Sequence, residues 1–267
     1  MLLGIFFSQL GLLCISSPLT LWFFLVLATL CTCGWLKSFL PSSVLVLYFI
    51  ISVMGSLFCL LASVPHPISA FLLTLGLTLI IGLAPFHFWI LPALNYFFLP
   101  SLVFFLGPMK LGYLFLLTRS SSSPLILPFF SFMVGALYLF SASQLSLVLY
   151  SSGAIQVFIL CLLGSHYFWP YQLVYLCSRM TFVLLHLGLA SPLFCFLCLL
   201  GLPPLGMFWA KYLCLTILPA LSGFLLLVVS ALLTYPYLRV AVGIPVRVHT
   251  SFLVISALIV FPVSLSL

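Results

Sequence analysis

The sequence predicts an all-α polytopic membrane protein, and three observations carry that expectation. Hydrophobic residues make up 66% of the 267 and charged residues only 3%. A soluble domain of this length could not hide so much apolar surface, because a folded core still needs a polar skin. The apolar residues also gather in runs close to the roughly 20 residues that cross a bilayer as a helix. Finally, the runs are apolar on every face, whereas the strands of a membrane β-barrel would alternate apolar with polar residues.

Polar or proline-bearing breaks divide the chain into eleven candidate spans. They run over Met1–Ile15, Leu19–Leu36, Val44–Val64, Ile68–Trp89, Leu99–Leu117, Leu125–Ala142, Leu145–Leu163, Trp169–Leu189, Leu193–Leu215, Leu221–Val242 and Phe252–Leu267. The connections, such as Ser16-Ser17-Pro18 and Pro65-His66-Pro67, are short. The expectation is therefore one transmembrane domain over residues 1–267 with no extramembrane domain. Such connections cannot by themselves hold a nucleotide, a flavin or an iron–sulfur cluster. There is no cleavable signal pattern and no Arg- and Ser-rich transit peptide, so the chain is expected to insert as made.

Charge narrows the function classes. The chain has no Asp or Glu and seven Lys and Arg, a net charge of +7. The cations are scattered singly, without the patch or stripe that marks a nucleic-acid binder, so no nucleic-acid partner is expected. With eleven spans, Lys37, Arg239 and Arg247 fall on the side of the N-terminus and Arg119 on the other. The positive-inside bias then places the N-terminus in the cytoplasm or the mitochondrial matrix. The nine cysteines sit mostly in apolar runs, as small hydrophobic filler does. The pairs Cys31/Cys33 and Cys195/Cys198 have no second ligand cluster at a metal-binding spacing, so no metal is expected.

Three cations lie inside spans: Lys110, Arg179 and Lys211. A charge at mid-bilayer costs about 2.5–3.5 kcal/mol on insertion scales and normally faces a bundle interior or a wet cavity. Lys110 falls near the middle of its span, which argues against snorkelling to an interface. For Arg179 snorkelling stays open. Gln172, Arg179 and His186 share one helix face, a polar stripe that points towards other helices.

Two apolar spans are interrupted. Gly82-Leu83-Ala84-Pro85-Phe86-His87-Phe88-Trp89 ends the fourth, and Gly201-Leu202-Pro203-Pro204-Leu205-Gly206 breaks the ninth, with Lys211 about two turns on. Proline lacks an N–H and disfavours a continuing helix, so within a bilayer such a break needs substitute partners. Paired breaks of this kind mark transporters that handle ions at the broken helices. Released carbonyls and bound water can carry protons there, and a lysine ammonium in low dielectric can exchange them.

These stretches resemble a known family. Gly82 to Trp89 is similar to the GLAPFHFW motif of subunit 2 of mitochondrial NADH:ubiquinone oxidoreductase, respiratory complex I. Gly201 to Tyr212 resembles that family's GLPPLTGF-x-x-KW. Gly107-Pro108-Met109-Lys110-Leu111 is similar to its W-Q-K-L-A-P segment, and Leu147 to Ala154 to its I-L-A-Y-S-S-I-A. The motifs cover roughly Ile80 to Tyr212, in the family's order. The resemblance implies an antiporter-like proton-translocating subunit with two broken helices in the inner mitochondrial membrane. Its partners would be other membrane-arm subunits, sister antiporter-like chains among them, and membrane lipids. NADH, FMN, iron–sulfur clusters and ubiquinone would belong to other subunits, with no cofactor and no redox site in this chain.

By the same resemblance, Lys110 and Lys211 match the family's proton-transfer lysines and His87 its motif histidine. His186 is a further candidate relay, from its place on the polar stripe. The chain departs from the family in three places. Ile80 stands where the family has a lysine two residues before the motif glycine. Ile155 stands where it has a histidine after Y-S-S, and the family's early-span glutamate is absent because the chain has none. Lys110 and Lys211 favour a pump, whereas Ile80 and the missing glutamate favour a subunit that only bridges its neighbours. An independent cation/proton antiporter would normally need carboxylates for its cation, and it ranks last.

Overall fold

A computed structural model describes residues 1–14, 17–64, 66, 68–119, 126–141, 145–163 and 167–186. It also describes the single positions Cys195, Cys198, Met207, Lys211, Tyr212, Thr216, Tyr237 and Arg239. The chain falls into two compact units. Unit 1 comprises Met1–Phe98 and Pro108–Met133, and unit 2 comprises Leu99–Gly107 and Val134–Leu267.

Unit 1 begins with α1 (Leu2–Cys14), α2 (Pro18–Leu36) and α3 (Ser42–Leu61), each on its predicted span. At the start of α2, Ser17 accepts a hydrogen bond from the Thr20 amide at 3.4 Å, and Pro18 occupies the first turn, where its missing N–H costs nothing. The helices are inside out relative to a soluble bundle. Phe7, Leu10, Leu19, Phe23, Val46 and Ile50 face outward, while Ser8, Gln9, Thr29, Thr32, Ser52 and Ser56 are buried. Lipid is the solvent that suits such an arrangement, and it leaves the polar side chains to meet one another within the bundle.

The fourth element, α4 (Ser69–Ile81), packs closely against α3 through two glycines. A Cβ on Gly76 would stand 2.6 Å from the Gly55 carbonyl oxygen, and one on Gly55 would stand 2.8 Å from the Gly76 oxygen. Small residues let helix backbones approach where lipid supplies no hydrophobic drive. Gly76→Val is therefore expected to prise α3 and α4 apart, since backbone cannot retreat as a side chain can. The cost should be about 1–3 kcal/mol, as for other overpacked sites. It would be read as a lower temperature at which the subunit unfolds in its native membrane; a variant as stable as the parent would refute the contact.

Unit 1 continues through a 3₁₀ turn, His87–Trp89, into α5 (Ile90–Leu94). After α6 (Leu99–Leu106) of unit 2, it resumes with a second 3₁₀ turn, Pro108–Lys110, and α7 (Leu111–Arg119). The expected interruption near Pro85 is present. The fifth span, expected to be whole, is broken as well. The Gly107 amide still donates to Val103 O at 3.0 Å, but Pro108 has no N–H to extend the ladder. The helices α8 (Ile126–Ser141), α9 (Leu145–Leu163) and α10 (Phe168–His186) follow, and within unit 2 α10 packs on α6 and α9.

Among the described residues, Pro18–Leu36, Ser42–Leu61 and Leu99–Arg119, the last counted across its break, are long and apolar enough to cross a membrane. The spans expected at Leu193–Leu215, Leu221–Val242 and Phe252–Leu267 lie outside the described residues, single positions apart, and so does the break at Pro203-Pro204.

Candidate functional site

The site in unit 1 is built around the broken end of α4. Helix α4 stops at Ile81 because Gly82 turns left-handed, with φ +75°, a conformation that only glycine adopts without penalty. A Cβ there would also stand 2.8 Å from the Trp89 ring. The Gly82 amide donates to Thr78 O at 3.0 Å and to Leu79 O at 3.2 Å, and the Leu83 amide donates to Thr78 O at 3.0 Å. The Ala84–Pro85 peptide is cis.

A helix end leaves carbonyls without helical donors, and here three side chains answer carbonyls of the break. Trp89 Nε1 donates to Leu79 O at 3.3 Å, the Lys110 ammonium to Ile81 O, and Ser131 Oγ to Ala84 O at 2.9 Å. Lys110 is 7% exposed, and its Nζ lies 5.9 Å from the centroid of the Trp89 ring, within cation–π range. Tyr48 packs on the same ring at 5.1 Å between centroids. Lys110 thus points into the bundle, as its mid-span position predicts. The chain has no Asp or Glu to offer it; a backbone carbonyl and an aromatic face are among the groups that meet its charge. An ammonium on a carbonyl can release its proton and leave a neutral amine, which a guanidinium cannot do.

Unit 2 holds a second buried cation. Arg179 of α10 is wholly buried, so snorkelling to an interface is excluded. Its Nη1 donates to Leu106 O at 2.9 Å, and its Nη2 donates to Leu149 O at 2.8 Å and to Ser152 Oγ at 3.3 Å. The Tyr175 ring stacks beneath the guanidinium at 4.5 Å, and the Tyr175 hydroxyl donates to Ser152 Oγ at 3.0 Å. Gly153 makes room, because a Cβ there would stand 2.8 Å from Nη2. One helical turn or two before Arg179, Tyr175 and Gln172 are buried on the same face, and Gln172 Oε1 accepts from Gln156 Nε2. Of the predicted polar stripe on α10, Gln172 and Arg179 face the bundle.

The remaining predicted residues are placed as follows. His87 is half-buried in the 3₁₀ turn, and Lys211 is half-buried in unit 2. His186 is the last residue of α10, and its side chain lies outside the described residues. Ile155 is buried in α9, and Ile80 is buried in α4 with its side chain against Gly55. Sequence reasoning missed Trp89, Ser131 and Gln156 as polar partners. Only Trp89 carried a signal, since an indole N–H buried in an apolar span needs an acceptor.

The geometry defines a class: an all-helical membrane fold with broken helices whose ends are answered by buried cations. Comparison with known proteins agrees at the level of fold. No family model matches the chain, and neither does any curated protein. Among solved structures, it is similar to a chain of "Respiratory complex I from Thermus thermophilus with bound Aureothin". The likeness has a TM-score of 0.79 at 21% identity and covers 98% of this chain and 76% of that one.

Proposed function

We propose that the chain is a membrane-arm subunit of a respiratory NADH:ubiquinone oxidoreductase, equivalent to subunit 2 of the mitochondrial complex, and that it contributes to proton translocation. The observation that carries this reading is Lys110, a titratable cation buried on the released carbonyl of a broken helix, in a fold similar to a chain of a complex I structure. Proton transfer would involve Lys110 and Lys211, with His87 and His186 as relays. Electron transfer from NADH through FMN and iron–sulfur clusters to ubiquinone would take place in other subunits. The chain would sit in the inner mitochondrial membrane among lipids and sister antiporter-like subunits, with its N-terminus in the matrix.

A second reading, a structural subunit with a broken proton path, is favoured by one specific observation. Ile80, where the resembled family has a lysine, is 4% exposed and packed against α3, and an isoleucine neither holds nor passes a proton. Two measurements test these readings. Native gel electrophoresis of the membranes should find this chain co-migrating with the subunits of the oxidoreductase. In reconstituted vesicles, Lys211→Met should lower the number of protons pumped per NADH, while Ile80→Ala should change it little. An unchanged ratio in Lys211→Met, with the complex assembled, would favour the structural subunit.

A further inference from the structure

The interruption after α4 lies deep in the membrane and yet is exposed. Its depth follows from α3, which runs alongside. A Cβ on Gly55 of α3 would stand 2.6 Å from Ile80 Cγ1, and one on Gly76 of α4 would stand 2.8 Å from Cys59 Sγ. The two helices are therefore antiparallel, with Ile80 level with Gly55. At about 1.5 Å per residue, Gly55 lies about 9 Å from the Leu61 end of α3 and about 20 Å from its Ser42 end. Trp89, beyond the interruption, packs on Tyr48, about 9 Å from the Ser42 end. Helix α3 is long enough to cross a membrane, whose hydrocarbon core is about 30 Å thick. Residues 82–86, which are not helical, and the 3₁₀ turn after them therefore sit within the hydrocarbon layer and not at its edge.

One side of this segment is packed. Leu83, Ala84 and Trp89 are buried, and Ala84 O, Ile81 O and Leu79 O are met by Ser131, Lys110 and Trp89. The other side is open. Pro85 is exposed, Phe88 is 53% exposed, and His87 between them is half-buried. Hydrocarbon is a poor solvent for such a surface. Irregular backbone at membrane depth persists only where protein or water covers it, and a histidine at that depth is costly against lipid. The outward residues of α1, α2 and α3, such as Phe7, Phe23 and Ile50, are a different case. Each stands on a continuous helix whose peptide groups are already paired, so lipid can cover it.

We propose that the edge formed by Pro85 and Phe88 is a subunit interface, covered by a membrane-spanning helix of a different, acid-bearing chain that seats the Phe88 ring among small residues. Aromatic side chains are enriched at the cores of protein interfaces. Small residues let a second helix approach closely within lipid, where no hydrophobic drive brings helices together. The partner is not a second copy of this chain. A copy would bring another net charge of +7 and no Asp or Glu, like charge against like, whereas a chain that carries Asp or Glu complements it. The interface does not depend on the function proposed above. Only the naming of the neighbour as a subunit of the oxidoreductase rests on that reading.

The test uses the full chain in its native membrane, carrying the photoreactive change Phe88→benzoylphenylalanine or, as the control, Phe23→benzoylphenylalanine; Phe23 is 57% exposed on α2. On illumination the probe at position 88 should attach to a membrane-spanning segment of another chain, one with Gly, Ala or Ser around the point of attachment. The probe at position 23 should attach to lipid. Phe88→Ala should lower the amount of chain held in the assembled complex about tenfold, as the loss of an interface anchor does, and Phe23→Ala should leave it unchanged. A high-resolution map of the parent complex should show a helix of another chain within about 4 Å of the Phe88 ring. Attachment at position 88 to lipid alone, to this chain itself or to a second copy overturns the proposal. So does acyl-chain or water density in that map where the helix should lie, and so do equal effects of Phe88→Ala and Phe23→Ala. Attachment to a helix of the stated kind in a chain that does not migrate with the oxidoreductase upholds the interface and overturns the function proposed above.

Discussion

Arg179→Leu is expected to cost the subunit about 2–4 kcal/mol and to deplete it from the assembled membrane complex. The guanidinium joins three helices of unit 2: it belongs to α10 and donates to Leu106 O of α6 and to Leu149 O and Ser152 Oγ of α9. Hydrogen bonds from a charged donor are worth about 1.5–3 kcal/mol each, and leucine makes none. Leu106 is the last residue of α6, where carbonyls outrun the helix's own amides, so its oxygen would be left buried and unmet. The space left by the longer side chain adds a cavity term. Against this stands the relief of no longer burying a charge, which is why the expected cost falls below the sum of the lost bonds. Arg179→Lys should fall between the parent and the leucine variant, since one ammonium cannot reproduce the planar fork that reaches α6 and α9 together. Immunoblotting of native gels measures the effect. Arg179→Leu at parental abundance would show that the three-helix clamp contributes little.

How much of this was legible in the sequence depended on whether the signal was local. Span positions were, because apolar runs and prolines act within one helix: α9 matches its predicted bounds, Leu145–Leu163, residue for residue. The break at Pro85 was legible for the same reason, since a missing N–H acts at its own position. The break at Gly107-Pro108 is written in the same terms, a glycine followed by a proline without an N–H. Partner identities were beyond reach. Nothing local says that Ile81 O receives Lys110 across 29 residues, or that Leu106 O receives Arg179 across 73. Each unit nonetheless uses the same device: the last carbonyl of an interrupted helix is met by a cation from another segment. With no Asp or Glu in the chain, helix ends are where negative partial charge is concentrated, and Lys110 and Arg179 are both found there.

Lys110→Arg separates the two functions that Lys110 could serve, and the expected result is a complex that assembles but pumps fewer protons per NADH. Arginine keeps the positive charge and can still donate to Ile81 O, so the end of α4 stays answered. It does not release its proton under physiological conditions, so any step that needs a neutral side chain at this position stops. Lys110→Met differs in both respects. It loses the donor to Ile81 O and the contact with the Trp89 ring, leaves a buried carbonyl unmet at about 1–3 kcal/mol, and abolishes the titrating group. A purely structural role for Lys110 predicts another order of effects, with arginine restoring both assembly and pumping and methionine impairing assembly. A role in proton transfer predicts that arginine rescues assembly while pumping stays as low as in methionine. The measurement is the ratio of protons pumped to NADH oxidised in vesicles, normalised to the amount of assembled complex. Parental pumping in Lys110→Arg would leave Lys110 as the cap of a broken helix and nothing more.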